Sequence, residues 1–280
     1  MFSLILAVAS SAMVSIVMRC SVSRVNNNMG MLCAGYFSCI ILSAIYLFPA
    51  KMPCIGNTDG AGTAAGLGVV AGFLFLMGFI LLQINVKING VVLSATFAKL
   101  GVLVPTVLSL FLYHERLMLT QTIGFLLALV AIVLINMDKG SGSAKYKTAL
   151  VLLLLSNGFA DAMAKIYEEH GSPLLEDFYL IFTFVSAFAF SFLFVLIKHE
   201  KVYKMDILMG IILGIPNYYS VRFLMKALSD IEAVITYPTY SVAGIAVITL
   251  AGVFVFREKL NKRQKSSVFI IMISLVLLNI

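Results

Sequence analysis

Charge is scarce in this chain. Only 12% of its 280 residues are Asp, Glu, Lys or Arg, against 61% hydrophobic residues and a mean hydropathy of +1.04. A soluble domain of this length needs far more charge to cover its surface, so an aqueous globular protein is excluded. Histidine is confined to His114, His170 and His199, too scattered for a metal or acid–base site. The four cysteines (Cys20, Cys33, Cys39, Cys54) lie in the first 54 residues with no Cys-x-x-Cys pair. They read as free thiols, not as a disulfide or zinc framework. Gly-x-Ser-x-Gly, phosphate-loop and His-Glu-x-x-His motifs are absent, as is any paired acidic motif for a prenyl or phosphatidyl transferase. No enzymatic activity, cofactor or metal is expected. Without an ATP-binding sequence, any transport must run on the substrate gradient or on coupled ions.

What is present is a series of apolar runs near 20 residues, long enough to cross ~30 Å of hydrocarbon at ~1.5 Å per residue. The sequence predicts an all-α membrane protein with ten spans, at about 2–19, 29–48, 64–83, 90–113, 118–136, 148–166, 178–197, 206–227, 233–256 and 264–280. Ala7-Val8-Ala9 imitates a signal-peptidase site, but the segment lacks a basic lead and its apolar stretch is short, so it is read as the first span. The net charge of +7 comes from basic residues in short loops. That pattern fits positive-inside orientation better than nucleic-acid binding. Loops after odd-numbered spans hold fourteen Lys and Arg, and loops after even-numbered spans hold four (Lys51, Arg116, Lys165, Lys226). Odd loops are therefore expected in the cytoplasm, with both termini outside.

The chain also repeats itself. Glu115-Arg116-Leu117 and Glu258-Lys259-Leu260 lie 143 residues apart, and the same offset pairs Gln121 with Gln264 and Asn136 with Asn279. Residues 114–136 and 257–279 share six identities in 23, one of which pairs two of the chain's three glutamines. Ser11, Ser15 and Arg19 of span one align with Asn157, Asp161 and Lys165 of span six, each set one stripe on a helix face. Gly68 and Gly72 align with Gly210 and Gly214, a spacing that lets membrane helices approach closely. Two five-helix repeats are expected, 1–137 and 148–280, joined by a linker over 138–147 that carries Gly140-Ser141-Gly142-Ser143. Five is odd, so the second repeat must enter the membrane from the opposite side. The repeats are then inverted, an arrangement mostly found in transporters.

Ten spans, inverted halves, and His114-Glu115-Arg116-Leu117 with Arg257-Glu258-Lys259-Leu260 at matching places resemble the drug/metabolite transporter superfamily, most closely its EamA-type branch. The resemblance covers nearly the whole chain. It implies a central cavity between interlocked repeats, and export or exchange of small metabolites by alternating access. The chain departs from many relatives in having no tryptophan, which they carry in the first span. Small multidrug transporters of the same superfamily place an acidic residue in the first helix. Here that helix offers Ser15, and its repeat partner supplies Asp161.

Ionisable groups inside hydrocarbon cost about 2.5–3.5 kcal/mol on insertion scales, so each needs a partner or a wet cavity. Asp161 and Arg222 fall at similar depths, ~20 and ~24 Å from the cytoplasmic ends of their spans, and an ion pair between them is expected. That pair could serve the substrate or simply hold two helices together. Lys99 shares a face with Thr96 and Thr106 and reads either as a fixed cation for a substrate carboxylate or phosphate, or as a snorkelling lysine. Tyr237, Tyr240 and Ser241 share one face of span nine, and Asn217 and Tyr218 precede Arg222 in span eight. Substrate contacts are therefore expected at Ser11, Ser15, Thr96, Lys99, Asn157, Asp161, Asn217, Tyr218, Arg222, Tyr237, Tyr240 and Ser241. Pro105, Pro216 and Pro238 can kink their spans. Glu115 and Glu258, at span ends, read as caps or latches at opposite faces. The expected function is secondary transport of a small polar metabolite, such as an amino acid or related carboxylate, across the cell (inner) membrane. The alternatives are an exporter of cationic drugs or quaternary amines, or a membrane scaffold that transports nothing. Expected partners are that metabolite and the lipid bilayer, with no nucleic acid, in a monomer or homodimer.

Overall fold

In the computed structural model, residues 1–21, 24–47, 60–89, 91–136, 147–199, 201–254 and 262–280 are described. Residues 138–146 of the expected linker, residues 48–59 after expected span two, the Glu258 motif and the side chains of Thr96, Asn136 and Gln264 lie outside them. Among the described residues every long element is helical: α1 (Phe2–Ser21), α2 (Asn28–Leu47), α3 (Ala61–Asn89), α4 (Val91–Leu100), α5 (Leu103–Leu112), α6 (Leu119–Asn136), α7 (Lys147–His170), α8 (Glu176–Lys198), α9 (Lys204–Leu228), α10 (Ala233–Phe254) and α11 (Lys262–Leu278). A helix satisfies its own backbone polar groups, which hydrocarbon cannot do. Seven of these helices are long and apolar enough to cross a membrane: α1, α2, α3, α7, α8, α9 and α10. Three shorter apolar stretches, Phe97–Leu112, Leu119–Leu134 and Lys265–Leu278, coincide with expected spans four, five and ten.

Span four is not one continuous helix. Gly101 N–H donates to Ala98 O (3.3 Å), Val102 N–H to Lys99 O (3.4 Å) and Val104 N–H to Gly101 O (2.9 Å), three-residue steps that interrupt the α-helical ladder. Pro105 has no N–H to offer the Gly101 carbonyl, which explains the break at this point. The other two prolines sit inside unbroken helices, Pro216 in α9 and Pro238 in α10. Gly101 and Gly158 of α7 meet backbone to backbone. A Cβ on Gly101 would lie 3.0 Å from Gly158 N and 3.2 Å from Leu154 O.

The helices pack through exchanged partners. α1 lies on α9 and α7 on α3. α2 lies on α9 and α8 on α3. α1 touches α10, and α7 touches α4 and α5. α2 meets α8, and α6 meets α11. The glycines make two of these contacts possible. A Cβ on Gly72 would overlap Ser186 Oγ and Thr183 O of α8, and one on Gly214 would overlap Ser38 Oγ and Gly35 O of α2. Ser186 Oγ–H donates to Gly68 O, and Ser38 Oγ–H to Ile211 O, both at 3.4 Å.

Caps fix the helix ends on one face. Asn27 Oδ1 accepts Gly30 N–H (2.9 Å) at the start of α2. The buried Asp206 carboxylate accepts Tyr203 N–H and Asn26 N–H, each at 2.9 Å, and so ties the α1–α2 connection to the start of α9.

Candidate functional site

Two adjoining hollows lie between α1, α2, α3, α7, α8, α9 and α10. The inner one, about 170 Å³, is lined by Ser11 and Val14 of α1, Phe75 of α3, Asp161 of α7, and Asn217, Ser220 and Val221 of α9, with Tyr240 of α10. The second, about 280 Å³, shares Val14, Phe75, Asn217 and Val221 with it and adds Asn157, Tyr36 and Phe79. Such a wall, mostly apolar with a few convergent polar groups, is the usual make-up of a small-molecule site. Asp161 is the charged side chain among the residues lining the two hollows.

The polar groups of the wall are fixed by neighbours. Tyr240 OH and Ser220 Oγ share a hydrogen bond of 2.7 Å, and Ser11 lines the same hollow. Asn217 Nδ2–H reaches Cys39 Sγ at 3.8 Å. Asn157 Nδ2–H donates to Leu153 O (3.0 Å), leaving its Oδ1 directed at Gly78, where an added Cβ would come within 3.0 Å. Tyr237, almost fully buried, donates its hydroxyl to the backbone carbonyl of Asp161 (2.7 Å).

The expected Asp161–Arg222 ion pair is not formed. Arg222 instead binds Asp177 at the start of α8 and the Tyr218 hydroxyl (2.7 Å), with its guanidinium 4.2 Å from the Tyr46 ring centroid. Helix phase decides the outcome. Asn217, Ser220, Val221 and Leu224 of α9 line the hollow, and at ~100° per residue Tyr218 and Arg222 fall on the adjoining face. Asp161 interacts electrostatically with Lys99 instead. Gly101 rests on Gly158, one turn before Asp161.

Of the twelve expected contact residues, Ser11, Asn157, Asp161, Asn217 and Tyr240 line the hollows. Lys99 is absent from the lining and interacts electrostatically with Asp161. Ser15 donates its hydroxyl to Ser11 O (3.3 Å) within α1 and is absent from the lining, as are Ser241, Tyr218, Arg222 and Tyr237. The Thr96 side chain is outside the described residues. Sequence reasoning missed Ser220, Phe75, Tyr46 and Asp177. Asp177 had been placed just ahead of a span beginning at 178, and the one available signal was an acidic residue at the entrance of an apolar run facing a lone mid-span arginine.

A second polar cluster lies on the face carrying residues 113–118 and 229–232. Buried Lys165 pairs with Glu115 (3.1 Å), Glu168 (2.7 Å) and Glu169 (2.6 Å). The other oxygen of Glu115 accepts Val234 N–H (2.8 Å) in the first turn of α10. Glu115 is thus a cap, as its position at a span end suggested.

The family model described as Small Multidrug Resistance protein matches residues 178–275, from α8 into α11. A protein of Haemophilus influenzae, described as an uncharacterized protein, is 23% identical over 189 residues, covering 65% of this chain and 64% of its own length. A crystal structure titled "Crystal structure of protein" shares the fold with a TM-score of 0.74 at 13% identity, covering 99% of this chain and 94% of the other. The match spans residues 178–275 alone; over that stretch the chain is similar to the Small Multidrug Resistance family, and seven of its helices are long and apolar enough to cross a membrane.

Proposed function

We propose that the protein is a secondary transporter of a small polar metabolite, working by alternating access in the cell (inner) membrane as a monomer or homodimer. Its body would be two inverted five-helix repeats, 1–137 and 148–280, with α4 and α5 together forming span four. The exchanged helix pairings support the repeat: every major contact of α1, α2 and α3 has a counterpart made by α7, α8 and α9. So do the two glycine contacts, where Gly72 meets Ser186 as Gly214 meets Ser38. Inverted repeats would place Arg116 and Lys259 on opposite faces. Single cysteines at these positions should then label from opposite sides of a vesicle, and labelling from one side would count against inversion.

The observation that carries the proposal is Asp161. It is the charged group of a mostly apolar wall that carries a few hydroxyls, amides and aromatic rings, and it interacts electrostatically with Lys99. A substrate with an ammonium group would bind the carboxylate, and a carboxylate on the same molecule would face Lys99, as an amino acid does. The reading as an exporter of cationic drugs or quaternary amines is favoured by one finding: Arg222 is neutralised by Asp177 and does not line the hollows. Thermal-shift measurements on purified protein separate the two. An amino acid should raise the melting temperature in wild type and not in Lys99→Gln. A quaternary amine should stabilise both. A panel with no stabilising compound would favour the scaffold.

A further inference from the structure

By their lining residues, three hollows follow one another from Asp161 toward the face of Asn26 and Lys201. The inner one shares four lining residues with the second, whose Leu32 and Leu82 lie within a helical turn of Met29 and Gln83 of a third, about 470 Å³, lined also by Asn26, Asn28, Lys198, Lys201 and Tyr203. The opposite end is plugged. Tyr179, which ends the inner hollow, stacks on Tyr167 with ring centroids 4.2 Å apart, and Tyr167 OH donates to Ser172 O (2.8 Å). Tyr237, outside the lining, ties α10 to α7 through its bond to Asp161 O.

Outside this plug the one carboxylate of Glu115 holds three elements at once: its own α5–α6 connection, α7 through Lys165, and α10 through Val234 N–H. Glu168 and Glu169 also bind Lys165, but from the same helix, at i+3 and i+4. They balance its charge without fastening α7 to anything.

We infer that the Glu115–Lys165 pair is the latch that shuts the Asp161 cavity on the face of residues 113–118 and 229–232, leaving it approachable from the face of Asn26 and Lys201. This rests on the transporter reading of that cavity. Opening the latched face parts α7 from α10, and Glu115 is the charged side chain that bridges the two, beside the Tyr237–Asp161 bond. Glu115→Gln removes the ion pair while its amide oxygen can still accept Val234 N–H. Lys165 keeps two carboxylates, so the change leaves no buried charge without a partner. The latch therefore weakens while the helices stay intact.

The test is sided labelling. A reporter cysteine replaces Val14, which lines both inner hollows, in a background with Cys20, Cys33 and Cys54 changed to serine and Cys39 to alanine. A membrane-impermeant thiol reagent is then applied to vesicles of each orientation. The latched protein should label from the Lys201 face. Glu115→Gln should raise labelling from the other face by about tenfold or more, and Glu168→Gln should not. Lys165→Gln removes the same tie from the other partner and should behave as Glu115→Gln does, which keeps the test open if that variant folds poorly. Unchanged sidedness in both latch variants, or equal opening by Glu168→Gln, would overturn the inference. Labelling needs no substrate. A protein whose sidedness switches yet carries no solute would therefore sink the transport reading alone.

Discussion

Tyr237 of α10 donates its hydroxyl to the backbone carbonyl of Asp161 in α7 at 2.7 Å, joining the helix capped by Glu115 to the helix that carries the cavity's carboxylate. The ring is almost fully buried. Tyr237→Phe removes the bond without opening a void, and the carbonyl keeps its place in the helix. The expected cost is about 0.5–1.5 kcal/mol, read as a lower unfolding midpoint in detergent. A midpoint equal to wild type would mean that this bond does not hold α10 to α7.

Arg222 and Asp177 should behave as one unit. Each single change, Arg222→Gln or Asp177→Asn, leaves a half-buried partner without its counter-charge, so the double variant should lose less than the sum of the two. The coupling expected for contacting residues is about 0.5–3 kcal/mol. Arg222→Gln with Asp161→Asn should be additive, because the two residues share no partner. Coupling in the second cycle and none in the first would restore the pair expected from depth alone.

That reversal marks where sequence reading runs out. Hydropathy placed Asp161, Arg222 and Lys99 within the bilayer, and the i+4 stripe correctly put Ser11, Asn157 and Asp161 on the inward side of α1 and α7. The Gly72 and Gly214 match was legible because close backbone approach demands the smallest residue at both places. Partner choice was not legible, since it depends on rotation about each helix axis. Arg222 lies about 100° from Val221 on the wheel, and that one step turns it from the cavity to Tyr46 and Asp177. The interruption after Leu100 was half legible: Pro105 announced a bend, but the seating of Gly101 on Gly158 comes from tertiary packing.

Glycine substitutions separate packing from propensity. Gly72→Ala and Gly214→Ala should each destabilise by about 1–3 kcal/mol, the range for overpacking, because the added carbon meets backbone as well as a serine hydroxyl. Gly66→Ala and Gly244→Ala meet nothing within 4 Å and should be neutral within about 0.5 kcal/mol, as changes away from such contacts usually are. Thermal unfolding of the four purified variants checks this. A similar loss in all four would point to backbone flexibility rather than close helix contact.

The most direct measurement is solute counterflow in proteoliposomes, using a panel of labelled amino acids, amines and carboxylates, with wild type beside Asp161→Asn. The account predicts saturable uptake of at least one ammonium-bearing solute by wild type, and its loss in Asp161→Asn while the variant still elutes as a folded protein. Uptake that survives in Asp161→Asn, or a panel that wild type does not carry at all, would contradict it.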